Sequence, residues 1–163
     1  MAGLAENGGV TRNVGQRRRA WLPFAVALLV LAGCGGAVTP SASIGTMDDV
    51  IANLVLRGAT VQRLVSGDPG CPSSDLHSNA ISMELAIGSQ GSLRSVYLFR
   101  WRRPADFGAA AAKFQACVAE YGAQHPGAVV TTLESAPWRA YGPTWNDMTV
   151  SLIEEALHAS GGR

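Results

Sequence analysis

The stretch that decides the fold is Ala80-Ile-Ser-Met-Glu-Leu-Ala-Ile87, followed after a short turn by Leu93-Arg-Ser-Val-Tyr-Leu-Phe-Arg-Trp101. In the first run, apolar residues alternate with Ser82, Glu84 and Ala86, which is typical of a strand with one buried face. As a strand, the second run places Ser95, Tyr97, Phe99 and Trp101 on one face and Arg94, Val96, Leu98 and Arg100 on the other. Residues 88–92 between the two runs contain two glycines and have the length of a hairpin loop. We therefore predict an antiparallel hairpin over residues 80–101.

Upstream of this hairpin, the sequence predicts one helix and one strand. Thr46-Met47-Asp48-Asp49 has the form of a capping box with Thr46 as the N-cap. Apolar residues then recur at helical spacing until Gly58, a residue type that commonly follows a helix end. A strand is expected over residues 60–65, and the dense turn formers of 66–75 predict an irregular loop.

Downstream of the hairpin, a second helix is predicted to begin at Pro104 and to end at Gly122. A strand over 128–133 and a loop over 137–145 should follow. The last helix should begin after a second possible capping box, Thr144-Trp145-Asn146-Asp147. The order α-β-β-β-α-β-α predicts a single small α+β domain with a mainly antiparallel sheet and helices packed mostly on one face.

The beginning of the chain has a different pattern. A basic cluster, Arg17-Arg18-Arg19, precedes an uncharged run from Ala20, and Leu31-Ala32-Gly33-Cys34 follows. This order resembles a bacterial lipoprotein signal with its lipobox. The resemblance implies a signal peptide over 1–33, lipid on the sulfur of Cys34, and a location at the cell membrane facing the periplasm or cell surface. Small and polar residues up to 45 predict a flexible tether over 34–45, followed by the domain at 46–163.

Two other interpretations of this segment stay open. Without cleavage, the apolar run over 20–38 has 19 residues, at the short end of the range of about 17–25 that spans a bilayer. The pair Arg18-Arg19 before Ala20-Trp21-Leu22 also looks like a twin-arginine export signal. The export route is therefore left undecided by the sequence.

Charge and cysteine content restrict what the chain after residue 33 does. The formal charge of the whole chain is +1, but from Cys34 onward nine basic residues face eleven acidic residues. This excess of acid argues against a general nucleic-acid or anionic-lipid binder. Cys71 and Cys117 remain as a pair, and outside the cytoplasm a disulfide is their simplest interpretation. Neither a CxxC spacing nor a flanking histidine indicates a metal or redox site, so we expect no metal and no cofactor.

No motif of a known catalytic class is present, since the chain lacks GxSxG, P-loop, GxGxxG and HExxH patterns. We therefore predict no catalytic residue. Asp75 and His77, close to Ser73 and Ser74, form the one cluster where a hydrolase site could lie. Local hydrogen bonding in a turn is the stronger explanation of these residues.

Two segments are candidate ligand surfaces. Arg100, Arg102 and Arg103 form the densest basic run after the signal, and guanidinium groups there could hold a phosphate, a sulfate or a lipid headgroup. A solvated strand end is the alternative. The aromatic segment 137–145, with Trp138, Tyr141 and Trp145, is either a rigid ligand-facing loop or, more simply, a set of rings that closes over the core.

Together these features predict a lipid-anchored extracytoplasmic domain that binds or interacts without catalysis. Its expected partners are the membrane, through lipid on Cys34, and either an envelope protein or a small ligand. A small cell-envelope hydrolase and an accessory subunit of a membrane complex are the alternatives. The domain resembles small lipoproteins that share no named activity, so the resemblance implies a location rather than a function.

Overall fold

A computed structural model describes residues 45–88 and 91–161 of the chain. Its elements, in chain order, are α1 (Met47–Leu56), β1 (Ala59–Ser66), a 3₁₀ turn (Ser74–Asn79), β2 (Ala80–Ile87), β3 (Arg94–Arg100), α2 (Pro104–Ala109), α3 (Ala111–Gln124), β4 (Val130–Ser135), β5 (Trp138–Pro143) and α4 (Asp147–Ser160). The predicted signal peptide, Cys34 and all but the last residue of the predicted tether lie outside the described residues. Within the described ranges, every helix is too short or too polar to cross a bilayer.

The five strands form one antiparallel sheet in the order β1-β2-β3-β5-β4, which confirms the predicted α+β class. The predicted hairpin is present, with Ala80 paired to Phe99 and Leu85 paired to Arg94. Strand β1 lies at the sheet edge and contains a bulge after Gln62, where Arg63 has a left-handed φ of 52°. Bulges of this kind interrupt the row of free backbone groups that an edge strand exposes.

Helices cover both faces of the sheet, which corrects the prediction that they pack mostly on one face. On the first face, α1 and α4 enclose aliphatic residues of the central strands, such as Val96 and Leu98. On the second face, Phe114 of α3 packs against Phe99 of β3, and Tyr121 of α3 packs against Tyr97 of β3. The physical reason lies in β3, where Val96 and Leu98 belong to one alternating set and Tyr97 and Phe99 to the other, so that each face has apolar side chains that need cover.

The structure confirms the first helix cap and corrects the boundaries of two later helices. Thr46 and Asp49 form the predicted capping box at the start of α1. The single helix expected from Pro104 is divided at Ala110 into α2 and α3, and α3 continues past Gly122 to Gln124. The N-cap of α4 is Asn146, whose side chain accepts from the Thr149 amide, and not Thr144, the first residue of the expected box.

The segment predicted as a loop over 137–145 contains strand β5, and this is the largest local correction. Residues Trp138–Pro143 pair with β3 on one side and with β4 on the other. Its residues are buried almost throughout, because a strand between two neighbours, covered on both faces, has little contact with water. Prolines and glycine at its ends had indicated a loop, but tertiary pairing outweighs that local signal.

Cys71 and Cys117 are joined by a disulfide, as predicted, with their Cα atoms 5.4 Å apart. The bond connects the segment between β1 and β2 to the middle of α3. Both cysteines are buried among the aromatic residues of the second face. The covalent link therefore fixes a loop that has little regular structure of its own against the helix that covers this face.

Candidate functional site

The three arginines selected from the sequence lie around one open depression of about 500 Å³, here called the arginine depression. Its lining residues come from α1, the 3₁₀ turn, the end of β3 and the start of α2: Met47, Ser78, Asn79, Arg100, Arg102, Arg103 and Asp106. The predicted arginine cluster is thus brought together by the fold. Its volume falls in the range of about 300–1,000 Å³ that is usual for small-molecule sites.

Arg100 is held in place by the end of the sheet. It is the last residue of β3 and pairs with Trp138 of β5, and its guanidinium lies 5.6 Å from the centre of the Trp138 ring. Asn79 donates from Nδ2 to the Arg100 carbonyl oxygen at 2.7 Å, which holds the 3₁₀ turn against the strand end. Arg100 is therefore positioned by paired backbone rather than by a free loop.

Arg102 and Arg103 occupy the connection between β3 and α2, and both are exposed. Arg103 donates from Nε and Nη2 to the two carboxylate oxygens of Asp106, at 2.7 and 2.9 Å. This contact raises the pKa of Arg103, and the guanidinium stays charged. An exposed pair of this kind adds little stability, so Arg103 is able to reorient toward another anion. In the described part of the chain, the structure gives Arg102 no ion pair.

Acidic groups near the depression limit its positive charge. Asp106 lies in its wall, and Asp49 of α1 is close enough to Arg100 for that charge to contribute to a lowered pKa. The main cause of the lowered Asp49 pKa is its hydrogen bonds with Thr46 in the capping box. The three arginines therefore keep a small positive excess, which suits one compact anion better than a long polyanion.

A second, smaller depression of about 270 Å³ shares Asn79 and Asp106 with the arginine depression. It contains Asp75, whose carboxylate accepts from Lys113 Nζ at 2.6 Å, and this contact lowers the pKa of Asp75. His77 is exposed and does not line it. The structure therefore pairs Asp75 with a lysine instead of joining it to His77 in a hydrolase arrangement.

The other two histidines also lie apart from the depressions. His125 stacks on Tyr121 with the ring centres 4.1 Å apart. His158 Nδ1 lies 3.3 Å from the Ser135 hydroxyl on the exposed surface, and the structure gives this pair no carboxylate partner in the described residues. Residues 45–88 and 91–161 contain no group of three or more His, Cys, Asp or Glu placed to hold a metal ion.

The three aromatic residues proposed as a ligand surface are in the core. Trp138 and Tyr141 are 0% exposed and Trp145 is 9% exposed. Each polar ring atom has an internal partner, since Trp138 Nε1 donates to the Ser160 carbonyl, Tyr141 Oη to that of Pro69, and Trp145 Nε1 to that of Ser95. The structure thus places these rings where the simpler interpretation put them, closing the core, and not on a surface that a ligand reaches.

Arg139 is the charged residue whose position the sequence did not indicate. Its side chain is 3% exposed and lies over the Phe107 ring at 3.9 Å, while Nη1 donates to the Phe107 carbonyl at 2.9 Å. Its Nε is 3.1 Å from a Glu134 carboxylate oxygen, at an angle that does not make a hydrogen bond. The signal available in the sequence was its position inside the aromatic segment 137–145. Because that segment was predicted to be a loop, burial of Arg139 was not expected.

A third cavity, a polar pocket of about 220 Å³, was also not predicted from the sequence. It lies on the second face of the sheet, over the β1–β2 half, and is lined by Arg63, Val65, Asp68, Ser82, Met83, Glu84, Ser95 and Tyr97. Arg63 Nη1 donates to Glu84 Oε1 at 2.8 Å, and Ser82 donates to Asp68 at 2.6 Å. Burial raises the pKa of Tyr97, which keeps its hydroxyl protonated. The alternating polar residues of β2 had indicated a wet sheet face here, without indicating a pocket.

Comparisons with known proteins assign no family to this arrangement. The function therefore has to be argued from the residues themselves. No protein-family model matches the chain, and no curated protein or solved structure matches it at a significant level.

Proposed function

We propose that this chain is a non-catalytic binding domain, held at the outer face of the cell membrane by lipid on Cys34, that binds an anionic group in the arginine depression. The observation that supports the binding half is the convergence of Arg100, Arg102 and Arg103 on one depression of about 500 Å³. The lipoprotein-like order of residues 17–34 supports the anchoring half.

The chemistry of the depression favours a phosphate or sulfate group. Guanidinium groups match the oxygens of these anions with two parallel hydrogen bonds, and the contact needs no deprotonation. Ser78 and Asn79 add a hydroxyl and an amide to the same wall. Because Asp106 already engages Arg103, a bound anion has to compete with it, which predicts modest affinity and strong salt dependence.

Titration of inorganic phosphate and of sulfate tests the binding half. The chain from residue 34 onward with Cys34→Ser would be followed by amide chemical shifts, which should move at Ser78, Asn79, residues 101–103 and residues 105–106. In an Arg102→Gln and Arg103→Gln variant we expect at least about tenfold weaker binding, because two charge-assisted contacts are lost.

The matched control is Arg63→Gln with Arg94→Gln, which removes the same charge away from the depression. Equal weakening in both double variants would show that the anion responds only to net charge, and would contradict a site in the depression. Shifts spread over the whole domain would lead to the same conclusion.

The anchoring half is tested separately. In cells that express the full chain, the protein should partition with membranes and its mature form should begin at a lipid-modified Cys34. Full-length Cys34→Ser should lose the lipid mass. If neither protein carries lipid mass and the two partition equally with membranes, anchoring through Cys34 is contradicted. The phosphate titration tests the binding half independently of this result.

An accessory subunit of a membrane complex is a second candidate, favoured by apolar side chains left exposed at the end of α1 and on the edge strand β1. Leu56 is 82% exposed, and Leu64 and Val65 are each about half exposed. We expect Leu56→Ser with Leu64→Ser to reduce the size of any complex extracted in mild detergent. An unchanged monomeric size in wild type and variant would exclude this function.

A further inference from the structure

We infer that the arginine depression faces the membrane to which Cys34 is anchored, and that the anion it binds is the phosphate of a lipid headgroup in that membrane. This inference rests on the proposed function, because lipid on Cys34 supplies the anchor. It assigns a partner to the depression and an orientation to the domain.

The chain enters the domain at Gly45, beside the end of α4. The Gly45 amide donates to the Ser160 carbonyl at 3.1 Å, at the end of α4. A Cβ atom at Gly45 would lie 2.5 Å from that same oxygen, so only glycine permits the approach. Trp138 Nε1 donates to the same carbonyl at 3.2 Å. The entry point is therefore fixed against Ser160 and Trp138.

This entry point lies next to the arginine depression. The guanidinium of Arg100 lies over the ring of Trp138, and Met47, two residues beyond Gly45, lines the depression itself. The electrostatic effect of Arg100 on Asp49 agrees with this proximity. Chain entry and depression thus share one end of the sheet. The tip of the β2–β3 hairpin, next to Ser92, is at the opposite end of the same strands.

Even when fully extended, the chain between Cys34 and the domain is little longer than the diameter of the domain. Cys34 and Gly45 are eleven residues apart in the sequence. Eleven residues reach at most about 40 Å, whatever conformation they adopt. A domain of this size has a diameter of about 35 Å. Turning the depression away from the bilayer would need the chain almost fully extended, so the entry end is the end nearest the lipid.

The positive charge of the depression acts only over a short distance. From Cys34 onward the chain is slightly acidic, so its surface as a whole is not attracted to an anionic membrane. Attraction has to be local, and the groups that act are Arg100, Arg102 and Arg103, opposed by Asp106 and Asp49. At physiological salt such a field extends only about 8 Å. The depression therefore attracts only a headgroup within contact distance. A headgroup lies that close when the end of the domain next to the anchor faces the bilayer.

The experiment attaches the domain to a bilayer chemically and measures which end is near the lipid. The chain from residue 34 onward would be coupled through Cys34 to a maleimide lipid, since Cys71 and Cys117 are held in the disulfide. Nanodiscs of phosphatidylcholine with about 30% phosphatidylglycerol would carry a gadolinium-labelled lipid. We expect relaxation enhancement at the amides of Ser78 and Arg102 to exceed that at Ser92 at least threefold.

Chemical coupling separates this inference from the proposed function. If cells do not lipidate Cys34 but the coupled domain shows this orientation, the proposed anchor fails and the orientation stands. If cells do lipidate Cys34 and phosphate binds, but relaxation is equal at both ends or greatest at Ser92, the proposed function stands and the inference is overturned.

A second arm identifies the source of the phosphate. For the unlipidated chain with Cys34→Ser, we expect binding to vesicles containing about 30% phosphatidylglycerol and at least tenfold weaker binding to pure phosphatidylcholine. Arg102→Gln with Arg103→Gln should lose about thirtyfold on the anionic vesicles, from two surface charges, while Arg63→Gln with Arg94→Gln keeps most of the binding. Tight binding of inorganic phosphate without any preference for anionic vesicles would assign the depression to a free anion and overturn the inference.

Discussion

The two faces of the sheet are stabilised in different ways. The first face, under α1 and α4, is a mainly aliphatic core in which Leu54, Leu98 and Leu157 are at most 1% exposed, and it also holds Trp138 and Trp145. The second face, under α3, is an aromatic core that also contains the disulfide, and the buried Arg139 lies over its rings Phe107 and Phe114. The first face depends mostly on hydrophobic burial, with the two tryptophan ring nitrogens donating to backbone carbonyls. The second face adds a covalent bond and a buried charge.

This difference shows where the domain is tolerant and where it is constrained. Aliphatic cores accept other side chains of similar volume with moderate loss. The aromatic core requires particular atoms, because Tyr141 donates to the Pro69 carbonyl and Gly70 approaches Tyr97 and Tyr141 too closely for any side chain. Gly70 also has a φ of 71°, which side-chain-bearing residues rarely adopt. We expect a substitution in the aromatic core to cost stability when it removes a specific polar contact or the disulfide. In the aliphatic core, the cost should depend mainly on the change in side-chain volume.

The largest expected effect breaks the aromatic core. Replacing Cys71 and Cys117 together by serine should lower the free energy of unfolding by about 4 kcal/mol, from the entropy of opening a loop with a sequence separation of 46. Urea denaturation measures this loss. Reduction of wild type should reproduce it, while the double variant should not respond to reductant. A loss under about 1 kcal/mol would contradict this account of the second face.

The next effect breaks the aliphatic core and tests whether the two faces are independent. Leu157→Ala should cost about 3 kcal/mol, because a fully buried side chain leaves a cavity. The loss should be the same within about 0.5 kcal/mol with the disulfide intact or replaced by serines. Phe114→Ala, in the cluster with both cysteines, should instead couple to the disulfide. Coupling for Leu157 as well would show that the faces act as one unit.

A smaller effect sharpens the role of the buried arginine. Arg139→Met keeps most of the side-chain volume but leaves the Phe107 carbonyl without its donor, and should cost about 2 kcal/mol in urea denaturation. The control is Glu134→Gln, whose carboxylate is 43% exposed, and it should change stability by less than about 0.5 kcal/mol. Equal losses in both variants would mean that the ion pair, and not the contact with Phe107, holds Arg139.

Helix capping on the aliphatic face should have an effect of about 1 kcal/mol. Asn146→Ala removes the acceptor for the Thr149 amide and hydroxyl, at 2.9 and 2.7 Å. Thr144→Ala, at the residue that the sequence suggested as the cap, should change stability by less than about 0.5 kcal/mol. Thermal denaturation of both variants decides between the two positions, and a larger loss at Thr144 would contradict the observed cap.

The smallest effect, a loss of stability when buried tyrosines ionise, is absent near neutral pH and appears only in alkaline solution. Burial raises the pKa of Tyr97 and of Tyr141 above the ordinary value of 10. The unfolded chain therefore releases these protons first, so stability is retained below about pH 10 and falls as the pH rises beyond it. Tyr97→Phe should reduce this dependence in denaturation at pH 8 and pH 11. An unchanged slope would show that Tyr97 does not contribute.

The sequence predicted the elements whose signals are local, and it did not predict those that depend on tertiary pairing. The hairpin over 80–101 and the helix from Met47 were predictable because their periodicity and capping box are local signals. Strand β5 was not, because its prolines and glycine favour a loop until β3 and β4 lie on either side. For the site, the arginines were visible as a run, but their joining with Ser78 and Asn79 depends on where the 3₁₀ turn is placed.

By itself, the sequence determined the α+β class, the pairing of Cys71 with Cys117 and the charge of the chain after residue 33. These follow from local periodicity, from the number of cysteines and from composition. Only the tertiary structure decided that Trp138, Tyr141 and Trp145 lie in the core and that Arg139 is buried with them. It also decided that Arg100 lies beside the point where the chain enters the domain. The reason is physical: burial and proximity depend on which strands become neighbours, and no short segment contains that information.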